Sequence, residues 1–524
     1  MTLPYATLGP VTNAQPVRRE RPDPAAKAHP AATVQGPAGE ATFPQEGDDT
    51  PAGLSRFDSP IGFTASELGE ITGGRLLRES SRRVRGAAVD SRLVAPGQLF
   101  VALPGERTDG HRYLADAARA GAAALVVSRS PADDELEALG DVSVVQVDDE
   151  VAALGRLAAR WRTTFSPLVV GVTGSIAKTS TKEAIAAVLG RRFTTLRNEG
   201  NQNNEIGLPL TLLRLGPEHE AAVLEMGMYA GGEIAQLAAI AQPRIGVVTA
   251  VLGVHLSRLG SIEAIERAKG ELVEALPPDG VAVLNADDER VARMARRTSA
   301  RSMTYGFTPT ADVQAEGVQA LGPEGMRFTL RLPGGKATVA TPALGRHAVH
   351  NALAGAAVGT SAGMTIDDIV PGLAAGWSAP HRAQLLHAGD VQIIDDSYNA
   401  SPASVRAALE LLADFPGRHV AVLGEMRELG DQAEAGHREV GAVAARAADL
   451  LFVVGPEAAG IAEGARSAGM NDARIVAVAD RSAAQRSLVE RLGPGDVVLV
   501  KASRGVELDL LVGELRAALD GALG

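Results

Sequence analysis

The sequence predicts an α/β protein built from three successive units behind an N-terminal tail. Two long stretches alternate buried strands with helices, which is the pattern of a parallel, doubly wound sheet, and a smaller α/β unit precedes them. The length of 524 residues suits three or four domains rather than one. We therefore expect a small α/β N-terminal domain, a central domain with a P-loop-like turn on a doubly wound parallel sheet, and a C-terminal Rossmann-like domain.

Composition narrows the class of protein. Acidic residues number 63 against 51 Lys and Arg, and the net charge of −12 argues against a broad nucleic-acid-binding face. The chain has no cysteine, which excludes disulfides, thiolate nucleophiles and Cys-ligated metal centres. No apolar run approaches 18 residues, and the N-terminus shows no signal-peptide pattern. We expect a cytoplasmic protein without a membrane span and without a nucleic-acid partner.

Domain limits follow from changes in composition and periodicity. Residues 1–58 hold nine of the 29 prolines and show no sustained apolar periodicity, which is typical of a disordered tail. We expect the N-terminal domain to span residues 59–165, the central domain 166–343 and the C-terminal domain 344–524. In the N-terminal domain, the pattern predicts helices at 65–74, 113–120 and 150–161, and strands at 98–103 and 122–128.

The central and C-terminal units carry the clearest alternation. Central strands are predicted at 168–172, 221–224, 245–249 and 281–284, with helices ending at Leu189 and spanning 261–276. The C-terminal strands are predicted at 391–395, 419–423, 450–454, 475–478 and 497–501, with helices at 347–361, 402–412 and 437–447.

A glycine-bearing turn between a predicted strand and a predicted helix is the strongest single candidate site. It reads GVTGSIAKTSTK from Gly171 to Lys182. Backbone amides at such a helix N-terminus bind polyphosphates, while a following lysine contacts the β- and γ-phosphates and a hydroxyl binds Mg²⁺. We expect this loop to bind ATP phosphates through Gly174, Ser175, Lys178, Thr179 and Ser180.

The loop departs from the pattern GxxxxGK[ST] at both glycine positions, which hold Val172 and Ala177. If the backbone needs a positive φ at position 177, a residue other than glycine costs about 1–2 kcal/mol there. A protein of this size tolerates such a cost, so the loop remains a candidate nucleotide site.

Further motifs occur in an order and spacing that resemble the Mur ligase family of ATP-dependent, amide-forming enzymes. The most specific is NEGNQNNEIGLP at Asn198–Pro209, which is similar to the branch that adds D-alanyl-D-alanine to a UDP-N-acetylmuramoyl tripeptide. The resemblance extends over nearly everything from residue 63 onward. It is carried further by VDSRLV at 89–94, PGQLFVAL at 96–103, DGH at 109–111, LEMG at 224–227, HLSRLGS at 255–261, RAKGE at 267–271, LNADD at 284–288, DDSYNASP at 395–402, LGEMRELG at 423–430 and KASRG at 501–505.

The resemblance implies a reaction and a set of site residues. ATP would phosphorylate the peptide carboxylate, and an amine would then attack the acyl phosphate, with ATP and two Mg²⁺ ions as the implied cofactors. It implies catalytic roles for Lys178, His255, Lys269 and Arg382, and Mg²⁺ ligands at Thr179, Glu225, His255 and a carbamylated Lys269. It further implies nucleotide contacts at Asn285, Asn351, Arg382 and Asp396, and substrate contacts at Ser91, Arg92, Asn201, Asn203 and Asn204.

The residues alone leave simpler interpretations open for several of these positions. Glu225 could be a solvated carboxylate at a strand end, and Lys269 a solvent-facing lysine of a helix. Asn285 and Asn351 could be turn or cap residues, and Ser91 with Arg92 an ordinary surface turn.

Several family positions are changed in this chain, and these changes keep two alternatives open. The substitutions besides Ala177 are Ala250, Leu252-Gly253, Ala348, Ser401 and Ala502. One alternative is a related ligase with a different amine substrate, and the other is a non-catalytic nucleotide-binding paralogue. A dehydrogenase is disfavoured because no GxGxxG follows a predicted strand. We expect UDP-N-acetylmuramoyl tripeptide and D-alanyl-D-alanine as substrates, a monomeric enzyme, and closure of the third domain onto the central one.

Overall fold

The protein folds into three α/β units, each with its own sheet, in a computed structural model that describes residues 61–105, 108–253 and 259–521. The predicted tail at 1–58 lies outside the described residues. The predicted fold class is confirmed in each unit.

The first unit is a five-stranded sheet with helices packed against it. Its strands are ordered β1-β5-β4-β3-β2, with β1 antiparallel to β5 and the others parallel. The first helix is capped at both ends. At its N-terminus the Thr64 side chain forms a capping box with Glu67, and Gly73, with φ +64°, follows its last residue. In chain order the elements are α1 (Ala65–Thr72), β1 (Arg75–Arg78), β2 (Ala87–Ala88), β3 (Leu99–Val101), α2 (Leu114–Arg119), β4 (Ala124–Val127), α3 (Asp133–Ala138), β5 (Ser143–Gln146) and α4 (Glu150–Arg162).

The last helix of this unit, α4, joins it to the central unit. Leu154, Leu157 and Trp161 on α4 are buried in a core that the central unit shares. The Trp161 indole nitrogen donates a hydrogen bond to the Leu215 carbonyl at 3.0 Å. The first two units therefore pack as one body around α4.

The central unit is a nine-stranded sheet ordered β14-β13-β12-β11-β10-β9-β6-β8-β7. Strands β6 to β12 are parallel, and β12, β13 and β14 form an antiparallel extension. The predicted strands correspond to β6, β8, β9 and β10, whereas β7, β11 and the extension were not predicted. Its elements are β6 (Leu168–Thr173), α5 (Lys178–Leu189), β7 (Thr195–Arg197), α6 (Gly207–Leu212), β8 (Ala221–Glu225), α7 (Glu233–Ala241), β9 (Ile245–Val248), α8 (Ile262–Glu274), β10 (Val281–Asn285), α9 (Glu289–Ala292), β11 (Arg301–Gly306), β12 (Val313–Ala320), β13 (Met326–Leu332) and β14 (Gly335–Thr341).

Two helices that follow the central sheet, α10 (Arg346–Ser361) and α11 (Ile366–Ala375), pack against it. Buried Val349 and Leu353 of α10 share a core with Val188 and Leu189 of α5. The sequence assigned residues from 344 onward to the third domain. Because this packing ties residues 346–375 to the central sheet, we propose that the boundary lies between the end of α11 and residue 384.

The third unit is a six-stranded sheet ordered β15-β16-β20-β17-β18-β19, parallel except for its edge strand β15. The five strands predicted here are confirmed, and β15 was not predicted. Its elements are β15 (Gln384–Ala388), β16 (Val391–Asp395), α12 (Pro402–Ala413), β17 (Arg418–Gly424), α13 (Ala433–Ala447), β18 (Leu450–Val454), α14 (Ala459–Ser467), β19 (Ile475–Val478), α15 (Arg481–Arg491), β20 (Asp496–Lys501) and α16 (Leu508–Gly521).

The central topology fixes where a ligand can bind. Strand β6 has β8 on one side and β9 on the other, so the strand order reverses at β6. In open α/β sheets ligands bind outside the carboxyl ends of the strands at such a reversal. Within the described residues, no helix has the length and apolar character needed to cross a membrane.

Candidate active site

The loop between β6 and α5 lies at this reversal and has the backbone shape of a phosphate-binding turn. Gly174 has φ +155°, and a Cβ atom built on it would lie 1.8 Å from the Thr249 hydroxyl oxygen. Only glycine fits there while Thr249 keeps its position. The Ser175 hydroxyl donates to the Leu252 carbonyl at 3.1 Å and accepts from the Leu252 amide at 2.9 Å. The loop is therefore held against the segment after β9.

Ala177 occupies the residue just before α5 in the left-handed conformation, with φ +63° and ψ +1°. The backbone therefore does need a positive φ at position 177. This conformation costs an alanine about 1–2 kcal/mol relative to glycine. Residues held in such conformations cluster at ligand-binding turns. The loop thus keeps its shape without the usual glycine.

Lys178, the first residue of α5, turns back over the loop. Its ammonium group donates a hydrogen bond to the Gly174 carbonyl at 2.9 Å. Burial and the nearby Arg382 guanidinium lower the pKa of Lys178, while Glu225 opposes that shift. Arg382 belongs to the third unit, so positive charges from two units converge on the loop.

A carboxylate and a hydroxyl meet beside the loop. The Thr179 hydroxyl donates to Glu225 at 2.8 Å, and the Asn203 amide donates to the other oxygen of the same carboxylate at 2.7 Å. Glu225 ends β8 and is only 2% exposed. The alternative that Glu225 is a solvated carboxylate at a strand end is therefore wrong.

The Asn-rich segment is built around that carboxylate. Buried Asn198 accepts a hydrogen bond from the Glu225 amide at 2.9 Å and donates to the Gln202 carbonyl at 2.6 Å. Asn204 accepts from the Gly207 amide at 2.9 Å at the start of α6, and Asn201 is exposed. Asn198 begins the same motif but was not among the predicted site residues, because an asparagine bonded to backbone groups has no distinct sequence signal.

Lys269 lies inside the protein rather than on a solvent face of α8. It is 2% exposed, and no described carboxylate lies within ion-pairing distance of its ammonium group. Burial, together with the positive charge of Lys178, lowers the pKa of Lys269 well below its usual range. A neutral amine is the form that adds CO₂, so the environment suits carbamylation.

The donor set around the loop fits Mg²⁺, which prefers carboxylate and hydroxyl oxygens. The described residues contain no cluster of three or more His, Asp and Glu side chains that could hold a metal. Thr179 and Glu225 are oxygen donors in direct contact, and Lys269 would become one on carbamylation. The fourth predicted ligand, His255, lies outside the described residues.

An open cleft of about 470 Å³ adjoins the loop at the ends of β9 and β10. Asn285 lies in it and donates to the Thr249 carbonyl at 2.9 Å. Asp287 also lines it and contacts His350 at 2.9 Å. Asn351 does not line the cleft: it is 2% exposed and accepts from Thr181 at 2.9 Å between α5 and α10. Its neighbour His350 lines the cleft instead, although it was not among the predicted site residues.

The third unit contributes Arg382 and Asp396. Arg382 lies in the segment before β15, and Asp396 directly follows β16. Asp396 accepts from the Ala383 amide at 3.1 Å and forms an ion pair with buried Lys501 at 2.5 Å. His381 contacts Asp395 at 2.8 Å. His381 and Ala383, on either side of Arg382, both have positive φ, so their hydrogen bonds to the Asp395 and Asp396 carboxylates hold Arg382 in a strained turn.

Ser91 and Arg92 lie in the first unit, apart from the loop just described. They form a short turn after Asp90, whose carboxylate pairs with Arg92 at 2.6 Å. The Arg92 side chain is 75% exposed. The turn is open to a ligand from solvent.

Family models match the chain in three consecutive parts. They are described as "Mur ligase family, catalytic domain" at 83–162, "Mur ligase middle domain" at 172–359 and "Mur ligase, glutamate ligase domain" at 381–504. A relative from Escherichia coli (strain K12), UDP-N-acetylmuramoyl-tripeptide–D-alanyl-D-alanine ligase, is 37% identical over 87% of this chain and 99% of its own length.

The chain belongs to the Mur ligase family. Proteins with the same name from Bacillus subtilis (strain 168) and Mycobacterium tuberculosis (strain ATCC 25618 / H37Rv) are 38% and 39% identical to this Mur ligase, over 86% and 87% of the chain and 98% of each relative. The middle-domain match ends within α10 and the next begins at residue 381. These limits agree with the boundary proposed from packing.

Solved structures agree with the fold of this Mur ligase. MurF from Acinetobacter baumannii is 31% identical with a TM-score of 0.78 and covers 87% of this chain and 99% of its own. MurF ligase from Thermotoga maritima in complex with ADP is 30% identical with a TM-score of 0.73, covering 84% and 99%. The three-domain architecture expected from the sequence is therefore confirmed.

Proposed function

We propose that this Mur ligase uses ATP to join D-alanyl-D-alanine to UDP-N-acetylmuramoyl tripeptide in the cytoplasm. The observation that carries the proposal is the full-length similarity to relatives that bear this activity in their names, at 37–39% identity over 98–99% of their length. The product is a precursor of peptidoglycan, so the enzyme contributes to cell-wall synthesis, cell shape and cell division.

The reaction has two chemical steps. The γ-phosphoryl group moves from ATP to the tripeptide carboxylate, giving ADP and an acyl phosphate. The dipeptide amine then attacks the acyl carbon, phosphate leaves, and the nitrogen loses a proton as the amide forms. Phosphoryl transfer needs alignment and charge neutralisation more than covalent help. Loop amides other than that of Ser175, which donates to the Ala250 carbonyl, would supply both together with Lys178 and Arg382.

Thr179 and Glu225 would hold one Mg²⁺, and His255 with a carbamate on Lys269 would hold a second. Mg²⁺ neutralises charge on the phosphate oxygens when bound. The contact of Thr179 with Glu225 and the lowered pKa of buried Lys269 support these assignments. Asn203 would orient the Glu225 carboxylate through its hydrogen bond.

The remaining site residues are assigned by their place in the fold, and of these Asn285 and His350 line the cleft beside the phosphate loop. Gly174, Ser175, Ser180 and Asn285 would contact ATP, with His350 at the rim of the same cleft. Asn351 would act indirectly by fixing α5 against α10. Ser91, Arg92, Asn201 and Asn204 would contact the UDP-linked tripeptide. Asp396 would hold Arg382 in place through the Ala383 amide.

The decisive experiment measures phosphate release from ATP and Mg²⁺ with the UDP-linked tripeptide, with and without D-alanyl-D-alanine. Release that depends on both substrates is expected. ATP binding without release would favour a non-catalytic paralogue, and release with another amine in place of the dipeptide would favour a different ligase.

A further inference from the structure

A buried threonine of the central sheet contacts the strained part of the phosphate loop from outside the loop. Thr249 directly follows β9, and its hydroxyl donates a hydrogen bond to the Ile176 carbonyl at 2.6 Å. The Thr173 carbonyl is also near this hydroxyl, but at 3.4 Å it is the weaker acceptor. The Ile176 carbonyl belongs to the peptide bond that leads into Ala177. Thr249 therefore binds the backbone next to the residue with the positive φ.

Hydrogen bonds fix the backbone on both sides of Ala177. On the C-terminal side, the Ala177 carbonyl accepts from the Thr181 amide at 2.8 Å and is thereby tied to α5. On the N-terminal side, Thr249 holds the Ile176 carbonyl. With α5 fixed, a change of φ at Ala177 would swing the Ile176 carbonyl away from the Thr249 hydroxyl. The bond to Thr249 therefore opposes relaxation of Ala177 to a negative φ.

Thr249 is itself held by its neighbours. Its amide donates to the Thr173 carbonyl at 2.9 Å, and its carbonyl accepts from the Asn285 side chain at 2.9 Å. Two residues further on, the Val251 amide donates to the Asp288 carboxylate at 2.8 Å. A threonine side chain is also stiff, because it branches at Cβ. The hydroxyl is thus presented to the loop by a rigid support that is anchored at the end of β10.

We propose that Thr249 is a positioning residue for nucleotide binding, whose hydroxyl holds the phosphate loop in its binding shape and offsets the strain at Ala177. The inference rests on the proposed function in that ATP is the ligand of this loop. A loop that occupies its binding shape for only part of the time binds more weakly in proportion to that fraction. A strained conformation persists only where its surroundings fix it, so the alanine makes the loop depend on Thr249.

The test is a double-mutant cycle between positions 249 and 177, with the Kd of ADP measured by calorimetry on the full chain at constant Mg²⁺. Thr249→Val replaces the hydroxyl with a methyl group of similar size. In the chain with Ala177 it should weaken ADP binding about 3- to 10-fold, the effect of one buried hydrogen bond. In the Ala177→Gly chain it should weaken binding by no more than about twofold, because glycine adopts both signs of φ about equally.

Kinetic constants and two further variants separate positioning from a general loss of structure. In Thr249→Val the KM for ATP should rise with the Kd, while the KM for D-alanyl-D-alanine should not change. Thr249→Ser keeps the hydroxyl and should bind ADP as wild type does. Thr72→Val is the matched control, because Thr72 is a buried threonine of the first unit whose hydroxyl donates to the Leu68 carbonyl at 2.6 Å. It should leave ADP binding unchanged.

Three results would overturn the inference. Unchanged ADP binding in Thr249→Val would mean that the loop keeps its shape without the hydroxyl. An equal loss with alanine and with glycine at position 177 would mean that Thr249 does not act through the strain. A loss in Thr249→Ser as large as that in Thr249→Val would mean that the hydroxyl is not the group responsible. Since ADP binding is measured without the peptide substrates, a wild type that binds ADP but releases no phosphate with D-alanyl-D-alanine would contradict the proposed function alone.

Discussion

Ala177 shows how one residue can depart from a motif while the loop keeps its shape. Its φ of +63° is the conformation that glycine adopts without strain. We expect Ala177→Gly to raise stability by about 1 kcal/mol through relief of this strain, less the backbone entropy that glycine adds to the unfolded chain. Thermal unfolding of the purified protein measures the change.

Ala187→Gly is the matched control for that experiment. It makes the same chemical change inside α5, where φ is helical, and should cost about 1 kcal/mol. Opposite signs for the two variants would establish strain at position 177. A loss of stability in both variants would show that the loop does not strain Ala177.

Lys269 provides the second prediction at this scale. Burial and Lys178 lower its pKa, so the neutral amine persists to lower pH than for an ordinary lysine with a pKa of about 10.4. As pH falls through the lowered pKa the amine is protonated and can no longer hold CO₂. Activity should therefore decline on the acid side, and added bicarbonate should move that decline to lower pH.

The measurement is carbon-13 NMR with labelled bicarbonate, alongside turnover. Wild type should show a carbamate signal that Lys269→Ala loses together with turnover. Lys336→Ala, which removes an exposed lysine of the antiparallel extension, should keep both. A Lys269→Ala protein with full turnover would refute the carbamate.

Some residue roles could be predicted from the sequence and others could not. Lys178 begins the helix that follows β6, and Glu225 ends β8. The alternation of strands and helices is enough to bring these two positions to the same edge of the sheet. Asn351 and His350 are adjacent in sequence but point to different faces of α10, and only the packing of α10 on α5 decides which one lines the cleft.

At the scale of elements, glycines let α11 approach α5 closely. A Cβ atom on Gly372 would lie 2.8 Å from the Ala187 carbonyl oxygen, a backbone atom that cannot move aside easily. We expect Gly372→Ala to destabilise the protein by about 1–3 kcal/mol, the usual cost of overpacking. Gly513, inside α16, has no atom within 4 Å of such a Cβ.

Gly513→Ala should therefore stabilise the protein by about 0.5–1 kcal/mol, because alanine is the better helix former. Urea unfolding of both variants measures the two effects. Equal gains for both would contradict close packing of α11 on α5 and, with it, the proposed domain boundary.

The alternation of strands and helices located most elements of the parallel sheets because buried strands carry uninterrupted apolar runs. It missed β12 to β14, because they lack such runs: β12 is exposed over its second half, β13 alternates between buried and exposed residues, and Gly317 and Gly335 lie within β12 and β14. From the sequence, α10 was placed in the third domain. A helix rich in small residues carries no signal for which of two sheets it packs against.

At the scale of the whole molecule, positive charges carried by the central unit and by the segment leading into the third unit meet at the phosphate loop. The segment 376–383 joins α11 to β15 and carries Arg382. The Arg382 charge acts on Lys178 closely enough to lower its pKa, so the two cations repel each other when no anion separates them. A polyphosphate bound between them would replace this repulsion by attraction, so we propose that ATP binding favours closure of the third unit onto the central one.

We therefore expect the radius of gyration in solution to fall when a non-hydrolysable ATP analogue, Mg²⁺ and the UDP-linked tripeptide are added together. Small-angle X-ray scattering measures this change. Arg382→Gln should compact less than wild type because one of the two cations is gone, whereas Arg406→Gln, on the same unit but paired with Glu439, should compact as wild type does. Raising the salt concentration should weaken compaction in wild type, since the charges then act over a shorter range. Full compaction of Arg382→Gln would show that closure depends on contacts other than this pair of cations.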